Sequence, residues 1–134
     1  MALGMFAVTI VDEAARYESF RTVLTTGEHT QVVAMTLRPG EDIGAEVHPE
    51  NDQVLIFTEG AARAEVGGET RDVSAGDMVV VPAGTEHNFT NTGAGTLRLV
   101  TVYGPPDHAP DTVHRTKADG ERAEAKGEDD PPGA

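Results

Sequence analysis

The chain has 134 residues, no cysteine and a formal net charge of −13 at pH 7. That length fits one domain of the usual ~100–200 residues, and the lack of cysteine excludes a disulfide framework, a cysteine-ligated zinc finger and a thiol nucleophile. The negative charge opposes phosphate backbones and anionic lipids, so we expect no nucleic acid and no membrane among the partners.

The first residues, MALGMFAVTIV, are apolar but lack the basic start of a secretory signal, and Asp12 and Glu13 follow directly. They predict an unprocessed N-terminus and a cytoplasmic protein. The segment from Asp12 to Phe20 is the one stretch whose composition suits a short helix. We therefore expect residues 1–29 to form a strand or a short helix that leads into the main domain.

Residues 30–104 carry their apolar side chains in short β-branched runs that end at glycine or proline, a pattern typical of antiparallel strands. The run VLIF at 54–57 suits a strand buried on both faces, or a sandwich strand with one very apolar face. The pair Gly67 and Gly68, between alternating flanks, predicts a type I′ hairpin. About seven or eight strands at this spacing predict an all-β antiparallel sandwich or barrel with little helix.

The composition changes in residues 105–134, which combine prolines with mixed charges and have Val113 as their one large apolar side chain. We expect a C-terminal extension here, because such a composition buries too little apolar surface to offset the entropy of ordering. Its last ~17 residues should be a flexible, disordered tail or a frayed helix around 120–126. His29, His108 and His114 lie in turns or in this extension and are expected to be exposed.

Four side chains have the chemistry and the placement of metal ligands. If the segment around Glu46 is a strand, Glu46 and His48 point to the same face, because side chains alternate along a strand. The sequence PEN then breaks the strand and allows the next one to return antiparallel, which can bring Gln53 to that face. His87 follows the turn PAGTE at the start of a later strand. The predicted ligands are therefore Glu46, His48, Gln53 and His87.

Each predicted ligand also has an ordinary structural interpretation. Glu46 and His48 could lie on a solvated strand edge before a turn. Gln53 could be a polar residue that forms hydrogen bonds inside the barrel without touching a metal, and His87 could be a buried structural histidine.

Two spaced motifs resemble those of the cupin family. One family motif has glycine, five residues, proline, one residue, glycine, two residues, histidine, three residues and asparagine. This chain fills every position, with Gly76, Pro82, Gly84, His87 and Asn91.

The other family motif has histidine, one residue, histidine, three or four residues, glutamate, six residues and glycine. The residues at that spacing here are Glu46, His48, Gln53 and Gly60. Two of the three ligands in this motif are therefore changed.

The resemblance implies a small single-domain cupin whose barrel, residues 30–104, is a double-stranded β-helix or jelly roll. It also implies a divalent metal held inside the barrel by four side chains, and a homodimer. The ligand types are similar to those of the zinc-dependent mannose-6-phosphate isomerases of the cupin superfamily. Their glutamine and glutamate stand in the opposite order, and this chain lacks their additional domains, so the sugar substrate does not carry over.

The altered ligand set keeps its attraction for a dication. The usual ligand set of the family, three imidazoles and a carboxylate, carries a charge of −1. Glu46, His48, Gln53 and His87 together carry the same charge. A carboxamide oxygen is harder than an imidazole nitrogen, which favours iron, manganese or zinc over copper, with nickel also open. Glu46 and the two histidines also match the two-histidine, one-carboxylate set of non-haem iron oxygenases, and Gln53 is then a fourth ligand or a hydrogen-bonding neighbour.

Two function classes follow from this sequence. In the first, the protein is a metal-dependent enzyme, isomerase- or dioxygenase-like, that acts on a small polar metabolite. In the second, it is a non-catalytic cupin that binds a sugar-like or other small-molecule ligand, with or without metal. A third, structural interpretation treats the site as decayed. No residue receives a catalytic role, since Glu50 and Asp52 are interpreted as rim charges. The expected core or pocket-wall side chains are Met35, Phe57, Met78 and Phe89.

Overall fold

The computed structural model describes residues 4–131. The elements within this range are α1 (Ile10–Ala15), β1 (Arg21–Thr26), β2 (Gln31–Leu37), β3 (Asp52–Glu59), β4 (Ala61–Val66), β5 (Glu69–Ser74), β6 (Met78–Val81), β7 (His87–Asn91), β8 (Leu97–Gly104), β9 (Val113–His114) and α2 (Lys117–Ala125). Neither of these helices is long and apolar enough to cross a membrane.

The strands form two antiparallel sheets. The larger has the strand order β6-β3-β8-β2-β1-β9, and the smaller has the order β5-β4-β7. Side chains from both sheets share one buried core, whose largest members include Tyr103, Phe57, Phe89 and Met35. Strands that are neighbours in space are mostly not consecutive in the sequence, as in a jelly roll. The predicted all-β class is confirmed.

Local sequence signals account for most of the strands. Along β3 the buried side chains alternate, with Gln53, Leu55 and Phe57 inside, so this is a sandwich strand with one apolar face and not a strand buried on both sides. Between β4 and β5, Gly67 and Gly68 have φ angles of 57° and 85°. Positive φ at both central residues defines the predicted type I′ turn.

An irregular segment before β3 lies beside β7. Backbone hydrogen bonds join the N–H of Ile43 to the carbonyl of Phe89, and the N–H of Gly84 to the carbonyl of His48. At the end of β7 the Asn91 amide donates to the carbonyls of Leu37 and Gly95 at 3.1 and 3.0 Å. This asparagine ties a strand end, as its motif position predicts, and the segment 40–48 is thereby fixed along the smaller sheet.

The N-terminal helix is shorter than predicted and begins earlier. The sequence predicts helix from Asp12 to Phe20, whereas α1 covers Ile10–Ala15. The buried guanidinium of Arg98, on β8, donates to the carbonyl of Tyr17 and to the carboxylate of Glu18, both at 2.7 Å. These bonds hold the chain in a non-helical course as it enters β1.

The C-terminal extension is more ordered than its composition suggests. Instead of the solvated tail expected over 118–134, the structure places helix α2 there, close to the alternative expectation of a helix around 120–126. The Thr116 hydroxyl caps α2 by accepting from the N–H of Asp119. Gly120 and Ala123 are buried, so small side chains and polar contacts replace the missing large apolar ones. Residues 132–134 lie outside the described range.

Gly60 provides a test of the packing between the turn after β3 and the start of β8. A Cβ at Gly60 would lie 2.6 Å from the carbonyl oxygen of Thr96, whereas a Cβ at Gly68 would meet no atom within 4 Å. Both residues have positive φ. Left-handed strain should therefore lower the free energy of unfolding of Gly68→Ala by only ~1–2 kcal/mol. Gly60→Ala should lower it clearly more, because its added Cβ also meets Thr96. Urea unfolding of both variants measures the difference, and equal losses would contradict it.

Candidate metal centre

Three of the four predicted ligands meet inside the barrel. Glu46, His48 and His87 each offer one ligand atom, and these atoms all lie within 4.8 Å of one another. The backbones of Glu46 and His87 exchange two hydrogen bonds, each 3.0 Å long. Directly opposed residues of an antiparallel pair share a face, and His48 shares it because it stands two residues after Glu46.

The imidazole of His87 is oriented for ligation. Its Nδ1 lies 2.9 Å from the carbonyl oxygen of Thr85, to which it donates. That bond fixes the tautomer and leaves the lone pair on Nε2. His87 is only 3% exposed, and its Nε2 has no hydrogen-bond partner among residues 4–131. A buried acceptor without a partner is uncommon and calls for an explanation, of which a bound ion is one.

His48 and Glu46 form a hydrogen-bonded pair. Nε2 of His48 lies 3.0 Å from Oε2 of Glu46, and its Nδ1 lies 3.5 Å from a carboxylate oxygen of Asp107. Burial would lower the pKa of His48, but the hydrogen bond to Glu46 and the negative charge of Asp107 raise it above its ordinary value. Burial would raise the pKa of Glu46, but the His48 hydrogen bond and charge lower it. Glu46 is therefore ionised at neutral pH, as a metal ligand must be.

Gln53 lies next to this cluster. Its side chain is 1% exposed, and its amide nitrogen donates to the hydroxyls of Thr101 and Tyr103 at 3.0 and 3.3 Å. The Tyr103 ring packs edge-on against His48, with 5.7 Å between the ring centroids. The carbonyl oxygen of Gln53 has no hydrogen-bond partner within the described range. The contacts thus fit a hydrogen-bonding role for the nitrogen and leave the oxygen available as a ligand.

The donor set fits a dication. Ligand atoms ~2.1 Å from one ion lie at most ~4.2 Å apart, so a small contraction of the 4.8 Å cluster is enough to close the site. The two unpartnered atoms, Nε2 of His87 and Oε1 of Gln53, are the types of donor that iron, manganese, zinc and nickel accept. With Glu46 ionised, the set carries the charge of −1 inferred from the sequence.

The C-terminal extension lies over the mouth of the barrel above His48. A cavity of about 410 Å³ opens there, and its lining includes His48, Asp107, Glu124 and Asp129. Burial and the charge of Glu46 raise the pKa of the Glu124 carboxyl. An acidic mouth of this kind attracts cations toward the site.

A buried polar pair holds this extension in place. His108 is 2% exposed, and its Nδ1 donates to the carboxylate of Asp129 at 2.6 Å. Burial would raise the pKa of Asp129, but the hydrogen bond and charge of His108 lower it. The side chain of Gln31, on β2, accepts from the backbone N–H of His108 and donates to its carbonyl. The extension is therefore bonded to the barrel through His108.

Several sequence expectations about single residues were wrong. His108 and His114, expected to be exposed, are 2% and 6% exposed, because the extension that contains them packs on the barrel. Met78, expected in the core or a pocket wall, is 64% exposed because it lies opposite Ile56, on the face of the larger sheet that points away from the core. Asp52 is exposed, as a rim charge would be, and also accepts from the backbone N–H of Ala83. Arg21 was not singled out, and a lone arginine at a strand start carries no distinguishing signal.

Comparison with known proteins establishes the family. A family model described as the cupin domain matches residues 33–103, the part of the chain that holds the candidate ligands. The chain belongs to the cupin family. This cupin is similar to a Bacillus halodurans protein of known crystal structure, with 42% sequence identity, a TM-score of 0.86, and coverage of 88% of this chain and 94% of that one.

Two relatives by sequence extend this comparison. The protein YrkC of Bacillus subtilis is 44% identical over 125 residues, which cover 89% of this cupin and 67% of YrkC. A mannose-1-phosphate guanylyltransferase of Salmonella montevideo is 32% identical over 76 residues, which cover 57% of this cupin but only 16% of that enzyme. The second match is therefore to a small part of a much larger protein.

The His108–Asp129 pair predicts a stability difference between two neighbouring carboxylates. Asp129→Asn removes the charge from a buried hydrogen bond and should destabilise the extension by ~1.5–3 kcal/mol, while the exposed Asp130 provides the control as Asp130→Asn. Hydrogen exchange of the α2 amides measures the local effect. Faster exchange in both variants, or in neither, would contradict a specific role for the pair.

Proposed function

We propose that this cupin binds a divalent metal at Glu46, His48, Gln53 and His87 and acts there on a small polar metabolite, as an isomerase- or dioxygenase-like enzyme. The observation that carries the proposal is the buried Nε2 of His87, which has no hydrogen-bond partner among residues 4–131 and belongs to a cluster with two other ligand atoms. A structural histidine at this depth would use both of its nitrogens.

The chain supplies the orientation that such a site requires. The carbonyl of Thr85 holds His87, and the carboxylate of Asp107 lies beside Nδ1 of His48. Partners of this kind fix ring orientation and raise ligand basicity. A bound dication would supply Lewis-acid chemistry, or oxygen activation if it is iron. The acidic mouth would then admit a small polar molecule, and the rings of Tyr103 and Phe89 pack against His48 and His87 on the core side.

One observation favours the second candidate function, non-catalytic binding of a sugar-like ligand. The extension lies over the mouth of the barrel and is bonded to it through the buried His108–Asp129 pair. An extension bonded across part of the mouth suits retention of a ligand as well as its conversion. Incubation of metal-loaded protein with candidate ligands separates the two functions, because an enzyme changes the ligand or consumes oxygen, whereas a binding module only gains thermal stability.

Metal content tests the proposed centre directly. Purified full-length protein should contain about one iron, manganese, zinc or nickel ion per chain, and His48→Ala and His87→Ala should each remove it. Glu46→Gln, which keeps the side-chain volume, should also lose metal. The exposed His29 serves as the control, and His29→Ala should keep full occupancy. Elemental analysis and circular dichroism of all four variants provide the measurement.

Chelation gives a second readout of the same centre. Metal at 100 times its Kd should stabilise the native protein by ~2.7 kcal/mol, so removal with EDTA should lower the Tm of the native protein and leave that of His87→Ala unchanged. If the native protein binds no metal after reconstitution with each dication, the proposed centre is wrong.

The homodimer expected from the family resemblance can be tested at the edge of the larger sheet. Met78 and Val80 are 64% and 53% exposed on edge strand β6, and Val113 is 55% exposed on β9 at the opposite edge. We propose β6 as the contact, so Met78→Glu with Val80→Glu should yield monomers, whereas Val113→Glu should stay dimeric. Light scattering after size exclusion measures both. A monomeric native protein, or a dimer in both variants, would contradict the proposal.

A further inference from the structure

Arg21 is a buried cation with unused hydrogen-bond donors. It is 3% exposed at the start of β1. Its Nη1 donates to Nδ1 of His114 at 3.1 Å, while its buried Nε has no partner among residues 4–131. A guanidinium has five N–H donors in a planar fork, and the Nε–H of this one is unfilled while its carbon lies 5.2 Å from the centroid of the Phe20 ring.

The nearby carboxylates make no direct contact with Arg21. None of the ion pairs within residues 4–131 includes it. His114 accepts the hydrogen bond on Nδ1 and is therefore neutral, and both burial and the charge of Arg21 lower the pKa of His114. The carboxylates of Glu46, Glu121 and Glu124 line the same crevice but none lies within ion-pair distance, so the guanidinium has no carboxylate bonded to it and can accept one from a ligand.

A crevice between the barrel and α2 leads from Arg21 to the metal centre. It has a volume of about 240 Å³, and its lining includes Arg21, Ile43, Glu46, Lys117 and Gly120. Its wall at α2 is close to Arg21, since a Cβ at Gly120 would lie 3.0 Å from Nη1. The volume is below the ~300–1,000 Å³ of pockets for drug-sized ligands, so the occupant is a small metabolite.

We propose that Arg21 binds the carboxylate of a small carboxylic acid, whose other polar group reaches the metal centre at Glu46. This inference rests on the proposed function and names its substrate class. The fork of Nε–H and an Nη–H matches the two oxygens of a carboxylate. Two carboxylates on α2, Glu121 and Glu124, also line the crevice, and their charges oppose a dianion such as phosphate more than a monoanion.

Nuclear magnetic resonance of the Arg21 Nε–H tests the subsite without any catalytic readout. The ¹⁵N-labelled full chain is titrated with propionate, with its neutral analogue propionamide, and with inorganic phosphate, first metal-free and then zinc-loaded. Arg21→Lys keeps the charge but removes Nε–H, and it assigns the signal. Propionate should move the Arg21 signal saturably, and propionamide should not.

Affinity in the variants completes the test. The backbone amide of Gly44, which lines the crevice, reports propionate binding in all forms. Arg21→Lys should weaken that binding by about tenfold, the effect of losing one bidentate contact, and Arg115→Lys at an exposed arginine should not change it.

Three results would overturn the subsite: no saturable shift with propionate, an equal shift with propionamide, or tighter binding of phosphate. Failure of the metal centre is separate from these results. A chain that binds no zinc can still bind propionate at Arg21, and a chain that ignores propionate can still bind zinc.

Discussion

Two reciprocal hydrogen bonds between the backbones of Glu46 and His87 hold the candidate centre together. They join the irregular segment before β3 to the first residue of β7, two parts of the chain that are far apart in the sequence. The pairing fixes which face each side chain occupies, and a slip of one residue would turn Glu46 and His48 away from His87. The geometry of the site therefore follows from backbone pairing more than from side-chain contacts.

Buried polar atoms that lack a hydrogen-bond partner within residues 4–131 lie near the candidate ligands. They include Nε2 of His87, Oε1 of Gln53 and Nε2 of His108. Contacts connect them, since Tyr103 touches both His48 and His108 and bonds to Gln53. Each unsatisfied group costs ~1–3 kcal/mol, and the apolar core of the same barrel offsets this cost. Real folds break the rules of polar satisfaction mainly at functional sites, so this concentration supports the proposed centre.

The sequence predicted which of the candidate residues lie together better than it predicted their surroundings. Period-two alternation and the spacing of the motif are local properties, and they were enough to place Glu46, His48 and His87 together and to predict the all-β fold. The extension could not be predicted, because its order depends on distant polar contacts, such as those of Gln31 with His108, and on close packing at Gly120 and Ala123. The expectation of a flexible tail was based on the small number of large apolar residues, and that number contains no information about either effect.

The charges near the mouth constrain what the protein can bind. A dication at Glu46 and the guanidinium of Arg21 would lie along one crevice, and like charges in a medium of low dielectric repel strongly. Glu46 offsets part of the dication's charge, but Arg21 has no counter-ion within ion-pair distance in the described range. A ligand with a carboxylate at one end and a metal-binding oxygen at the other would relieve both. In the proposed subsite, metal and arginine would favour the same acid, and each should bind it more tightly when the other is present.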